Sequence, residues 1–189
     1  TGYSLKNGSL MQNGTKITGG KFTVGDQNVT ITAEFISKDT VQIWDGSNNP
    51  LPGIYEVTTP LEITGTVIIP SGVEIRLGTG GSLTVKSGGV LQNSGNLKIP
   101  FTVEAGGSVN NGATGQISSI TVRTGGVVDN YGIILSGTVS GGEIDNHARV
   151  DSVQVSSGYF YVLGSSAIAK TVTQSGGTVD CFSSGSIQS

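Results

Sequence analysis

"VRTGGVVDN" occupies residues 122–130, and it decides the fold because the chain repeats it. "VKSGGVLQN" stands at 85–93, "VEAGGSVNN" at 103–111 and "VSGGEIDN" at 139–146. Anchored on the valine before the glycines, the units begin at Val85, Val103, Val122, Val139, Val155 and Val172, spaced by 18, 19, 17, 16 and 17 residues. A second apolar position follows at Leu91, Val109, Val128, Ile144, Tyr161 and Val179. Two residues further on come Asn93, Asn111, Asn130 and Asn146, then Leu163 and Cys181. A looser unit starts at Ile69, so the repeat runs from there to the end of the chain.

Helix-pair repeats need more than about 30 residues, so this period excludes them. The local pattern has period 2, as in Leu83-x-Val85 and Leu97-x-Ile99, which is the signature of strands. Gly-Gly marks a corner where the backbone takes positive φ or turns tightly. Short strands joined by repeated corners predict an all-β fold, a right-handed parallel β-helix (solenoid) over residues 51–189 with roughly seven to eight coils. Residues 1–50 alternate without matching the repeat. They read as an N-terminal β cap or irregular first coils, with Phe35 and Trp44 in its core and "WDGSNNPLPG" (44–53) as a protruding loop.

The repeated valines are expected to stack inside. Asn93, Asn111, Asn130 and Asn146 share parity with the apolar column and are expected to point inward as well. A buried amide is costly unless bonded, and in-register amides can bond rung to rung. The four therefore read as a structural ladder that becomes apolar at Leu163 and Cys181.

Composition narrows the function classes. The chain has 189 residues with 31 Gly, 12% charged and 6% aromatic residues and a net charge of -3. There is no basic field for nucleic acid, and no apolar run long enough to span a bilayer. The only cysteine, Cys181, excludes a disulfide framework and reads as a small buried apolar residue. The only histidine, His147, reads as a surface corner residue rather than part of a triad. Asp129, Asp145 and Asp180 fall in one outward column, read as solvated acids. No residue pattern points to a metal or a cofactor. The opening "TGYSLKNGS" without Met reads as a mature or excised fragment, and the last unit reads as truncated.

The stretch 82–189, with "VRTGGVVDN", "TVTQSGG" and "TVDCFSSGS", resembles the repeats of AIDA-type autotransporter adhesins. "PGIYEVTTPLEITGTVIIPSGVEIRL" (52–77) is similar to entry coils of pectin-lyase-like β-helices. The resemblance implies a non-enzymatic adhesion or self-association module, a fragment of a passenger domain on the outside of a bacterial cell. Its partners would be a host-cell receptor or glycan, or identical rods on other cells. Repeats of that family can carry O-linked sugars added by heptosyltransferases. This implies Ser87, Ser140, Ser156 and Ser175, at or just before the glycine corners, as acceptors. Enzymes of the wider superfamily cluster acids with basic residues on one face. The sequence reads as lacking an Asp-Asp pair or a Lys or Arg beside an acid at matching coil positions. A polysaccharide-active or carbohydrate-binding protein is the alternative reading, and a phage or pilus-like fibre segment a third.

Overall fold

The computed structural model describes residues 41–182 and 184–188 in full. Within the first forty residues it describes the course of short strands only. There, Tyr3–Leu5 pairs antiparallel with Phe35–Ser37, and Met11–Gln12 pairs antiparallel with both Thr15–Lys16 and Ile31–Thr32. Thr1–Val41 and Gln42–Ser189 are two compact units. The expectations of an N-terminal cap and of a buried Phe35 lie outside the described residues.

The second unit is a parallel β-solenoid. Its stack begins at Gln42–Trp44, inside the stretch assigned to the cap, because that strand pairs in parallel with Pro60–Ile63. Trp44 is thus the first rung of the core and packs partly buried against it. The described part of the loop that follows is held locally by Trp44 Nε1 donating to Asn48 O at 3.1 Å.

Each coil contributes to three strand faces. The first face stacks Gln42–Trp44, Pro60–Ile63 and Ser82–Val85, then later coils. The second stacks Thr66–Ile69, Val90–Asn93, Ser108–Asn111 and Val127–Asn130. The third stacks Gly53–Val57 and Val73–Leu77. From Asn96–Val103 onward, strands run round corners and serve two or three faces in one element, as in Ile133–Asn146 and Arg149–Leu163. Inward residues alternate with outward ones on every face, as period 2 requires. The lumen is filled by aliphatic columns such as Val67, Leu91, Val109, Val128, Ile144, Phe160 and Val179.

At the corners Gly88-Gly89, Gly106-Gly107, Gly125-Gly126 and Gly141-Gly142 the two glycines have different reasons. The first takes positive φ: +78° at Gly88, +74° at Gly106, +77° at Gly125 and +105° at Gly141. The second is buried under the adjacent coil. A Cβ on Gly107 would stand 2.7 Å from the Val85 carbonyl oxygen.

Val85, Val103, Val122, Val139 and Val155 stack in register, between Ile63 below and Gln174 above. Val172 does not belong to this column; it pairs with Val153, two residues earlier on the face. The reason is the corner. Gln174-Ser-Gly-Gly repeats the spacing of Val139-Ser-Gly-Gly, so distance to the glycines, not side-chain type, sets the register. The same correction applies to Tyr161 and Leu163. Phe160 follows Ile144 in the lumen and Val162 follows Asn146, because Val155 to Tyr159 spans the same four residues as Val139 to Glu143, one fewer than Val122 to Val127. Counted from the last glycine of every corner, residues at +2 and +4 point inward throughout. Cys181 does continue the amide column through Val162, but it is exposed rather than buried. It sits on the last described coil, with a lumenal neighbour on one side only.

Candidate functional site

The amide column is structural. Asn93, Asn111, Asn130 and Asn146 are at most 1% exposed. Asn93 Nδ2 donates to Asn111 Oδ1 at 2.8 Å, Asn111 Nδ2 to Asn130 Oδ1 at 2.7 Å, and Asn130 Nδ2 to Asn146 Oδ1 at 2.8 Å. Each second N–H turns to a corner carbonyl, as Asn130 does to Arg149 O at 3.1 Å. At the top rung, Asn146 donates to Ile168 O at 3.1 Å, so the switch to Val162 leaves no donor stranded.

The four serines divide by exposure. Ser87, Ser156 and Ser175 are exposed, and Ser140 is half-buried. Ser140, Ser156 and Ser175 each donate from Oγ to the carbonyl of the valine one coil below: Val122 at 3.4 Å, Val139 at 3.2 Å and Val155 at 3.5 Å.

The outside of the first face is a hydroxyl lattice. One column runs Thr84, Thr102, Thr121, Thr138, Gln154, Thr173. Beside it, Ser136, Ser152 and Thr171 continue from coil to coil. From Thr84 upward these positions carry no charge and present hydroxyls or an amide at about 4.8 Å intervals, while the rung below Thr84 is Glu62.

Charge is segregated. All six Lys and Arg residues of Gln42–Ser189 are paired with carboxylates. Lys86 bridges Glu62 at 3.3 Å and Glu104 at 2.8 Å, and Arg123 adds to Glu104 at 3.7 Å. Glu74 holds Lys98 at 2.9 Å and also Arg76; Asp151 holds Lys170 at 3.0 Å and also Arg149. Acids and bases do meet across coils, contrary to expectation: Lys86, Glu104 and Arg123 each follow the anchor valine of consecutive units, so stacking sets them one above the other. The Lys98 and Arg76 cations hold the Glu74 carboxyl below its usual range, and Arg149 with Lys170 does the same for Asp151.

The outside of the second face differs. Counted from the last glycine of each corner, the outward positions are +1 and +3, with +5 at the next turn. In the lower coils they are neutral: Thr66 and Ile68, Val90 and Gln92, Ser108 and Asn110. From residue 127 upward they form a grid whose rows are Val127, Asp129, Tyr131; Glu143, Asp145, His147; Tyr159, Tyr161, Leu163; and Thr178, Asp180, Phe182. Asp129 and Asp145 are direct partners on neighbouring coils, so an Asp-Asp pair does exist. Asp129, Glu143, Asp145 and Asp180 have no Lys or Arg partner among the described residues. Partial burial, then the charges of Asp145 and Asp129, push the Glu143 carboxyl up; burial, then Asp129, does so for Asp145, against the pull of His147. Asp145 Oδ1 is buried without a hydrogen-bond partner. Among the described residues no three His, Cys, Asp or Glu side chains converge as metal ligands.

Aromatic rings flank the acids. His147, half-buried, stacks on Tyr131 at 4.5 Å with planes 5° apart. Tyr159 stacks on Tyr161 at 5.8 Å, and Phe182 closes on Tyr161 at 5.9 Å. Sequence reasoning placed Asp129, Asp145 and Asp180 in this column and missed Glu143 and the rings. The signal for them was the same glycine count, read at odd offsets.

One open depression, about 260 Å³, lies among Glu74, Ser94, Asn96, Thr114 and Gln116. That is below the usual size of a small-ligand pocket, roughly 300 Å³ and more. Among the described residues no helix is long and apolar enough to cross a membrane. No protein-family model, curated protein or solved structure matches the chain significantly. The class that geometry defines is the parallel β-solenoid with an internal asparagine ladder.

Proposed function

We propose that the chain is a non-catalytic adhesion and self-association module of a bacterial cell surface, a piece of an autotransporter-like passenger domain. The observation that carries the reading is the hydroxyl lattice of the first face. It is long, uncharged and repeated coil by coil, so identical rods can lie side by side with matched donors and acceptors. Single contacts of that kind are weak, and many copies on two facing cells multiply them into avidity. Host receptors or glycans would be held in the same shallow, multivalent way. In this reading heptosyltransferase acceptors are the free hydroxyls, Ser87 first, since Ser140 is half-buried and bonded to the Val122 carbonyl.

Display of the protein on non-aggregating cells tests this. Cells should clump or adhere, and Thr121→Lys with Thr138→Lys should weaken clumping while far-UV circular dichroism stays unchanged. Display without aggregation or adherence would refute the proposal. One observation favours the polysaccharide-active alternative: Glu143 and Asp145 are neighbouring carboxylates with raised proton affinity, a feature of general acids. Release of new reducing or unsaturated ends from polysaccharides would decide for it.

A further inference from the structure

The rings and acids of the second face stand apart from the hydroxyl lattice and need a different partner. We infer that the upper second face is a docking surface for a linear glycan bearing free amino groups, laid along the rod axis. This deepens the adhesion reading and rests on it.

Charge complementarity selects a cation. Four carboxylates share this face, while every described Lys and Arg of the solenoid is engaged by other acids. The same face of a second copy would set carboxylate against carboxylate, and a uronate polymer or nucleic acid would be repelled. The acids do not converge on one point as metal ligands, so the counter-charge must be spread along several coils.

The rings and the row spacing select a sugar. Tyr159 and Phe182 are each 47% exposed and offer apolar ring surface to the C–H face of a pyranose, while Tyr161 between them adds a phenolic hydroxyl. An ammonium group near these rings gains a cation–π contribution besides its carboxylate. Rows repeat at about 4.8 Å along the axis, and a 1,4-linked pyranose advances by a similar step. A chain on the central column would meet Asp129, Asp145, Tyr161 and Asp180 in turn. An extended basic peptide puts same-side side chains about 6.6 Å apart, out of step with those rows.

Calorimetric titration of the full chain with a β-1,4-linked glucosamine hexamer tests the inference, with the fully N-acetylated hexamer and octalysine as competitors. The glucosamine hexamer should bind in a salt-sensitive way, and the acetylated one much more weakly. Asp129→Asn with Asp145→Asn should weaken binding by roughly three- to tenfold, the scale of two exposed charge pairs. Tyr159→Ala should also weaken it, and Glu56→Gln, an acid elsewhere on the surface, should not. These substitutions are isosteric or on the surface, and circular dichroism checks that the fold persists. Equal affinity for both hexamers, no binding of the glucosamine hexamer, or octalysine binding that ignores Tyr159→Ala would overturn the inference. Cell aggregation separates the two readings: its persistence without hexamer binding removes only this inference, and its absence despite binding removes only the adhesion reading.

Discussion

Replacing Asn130 with Asp tests the interior of the solenoid at its most constrained point. Asn130 is fully buried, with 0% exposure. Its Oδ1 accepts from Asn111 Nδ2 at 2.7 Å and Gly132 N at 3.3 Å, which an aspartate oxygen can still do. Its Nδ2 donates to Asn146 Oδ1 at 2.8 Å and Arg149 O at 3.1 Å, and there aspartate places an oxygen against two oxygens. Two hydrogen bonds are lost, at about 1 kcal/mol each. An ionised carboxylate also lies buried without a counter-charge, which brings the total to roughly 3–5 kcal/mol. The acid escapes part of this by staying protonated and donating its one O–H, which leaves a cost of about 1–3 kcal/mol. Its folded pKa is therefore raised above the unfolded value of about 3.9. A group of that kind favours the folded state below its unfolded pKa and loses that contribution as pH rises. The variant's deficit should be smallest near pH 4 and grow toward neutrality. At about 2–4 °C per kcal/mol for a chain of this size, the neutral-pH melting temperature should fall by roughly 6–20 °C. Circular dichroism melts of parent and variant at both pH values measure this. Equal melting at neutral pH would mean the amide column is hydrated and the ladder reading is wrong.

Gly137 stands in a lumenal column where a Cβ would meet Val153 Cγ2 at 3.4 Å and Ile144 Cδ1 at 3.5 Å, ordinary contact distances. Gly137→Ala should therefore stabilise the protein by about 0.4–1 kcal/mol, read as a higher denaturant midpoint; a lower midpoint would show the lumen already full. Asp145→Asn removes a charge whose proton affinity is raised by burial and by Asp129. Because the raised group costs stability above its pKa, the variant should melt slightly higher at neutral pH, by no more than about 0.5 kcal/mol after solvent screening, and the gain should vanish in acid. Intact mass and peptide mapping of protein purified from its native host should find hexose- or heptose-sized additions at Ser87 before Ser140; an unmodified mass would remove the glycosylation proposal.

Much of the solenoid was legible in the chain because one device, the paired glycine, recurs before the second face in most coils. Gly88-Gly89, Gly106-Gly107 and Gly125-Gly126 each start a strand whose second and fourth residues face inward, so parity alone placed Leu91 and Asn93, or Val128 and Asn130, in the lumen. An inward asparagine on consecutive coils has to bond to its neighbours, which made the ladder readable from the chain itself. Reading failed where apolar character was followed instead of distance to the glycines. Val172 looked like Val155 but stands two residues early, and Tyr161 looked apolar enough for a lumen that Phe160 fills. On the surface, the outward Asp129, Asp145 and Asp180 column was legible, and the contacts between side chains were decided by the tertiary structure. Which side chains face each other across coils depends on the length of every corner between them, and the step along the anchor column runs from 16 to 22 residues. Stacking set Lys86 between Glu62 and Glu104, drew Lys98 and Lys170 to Glu74 and Asp151, and left Asp129, Glu143, Asp145 and Asp180 among the rings without a cation. Arg76–Glu74 and Arg149–Asp151 pair within one strand, but the pairs made by Lys86, Lys98, Arg123 and Lys170 need a neighbouring coil to supply the opposite charge.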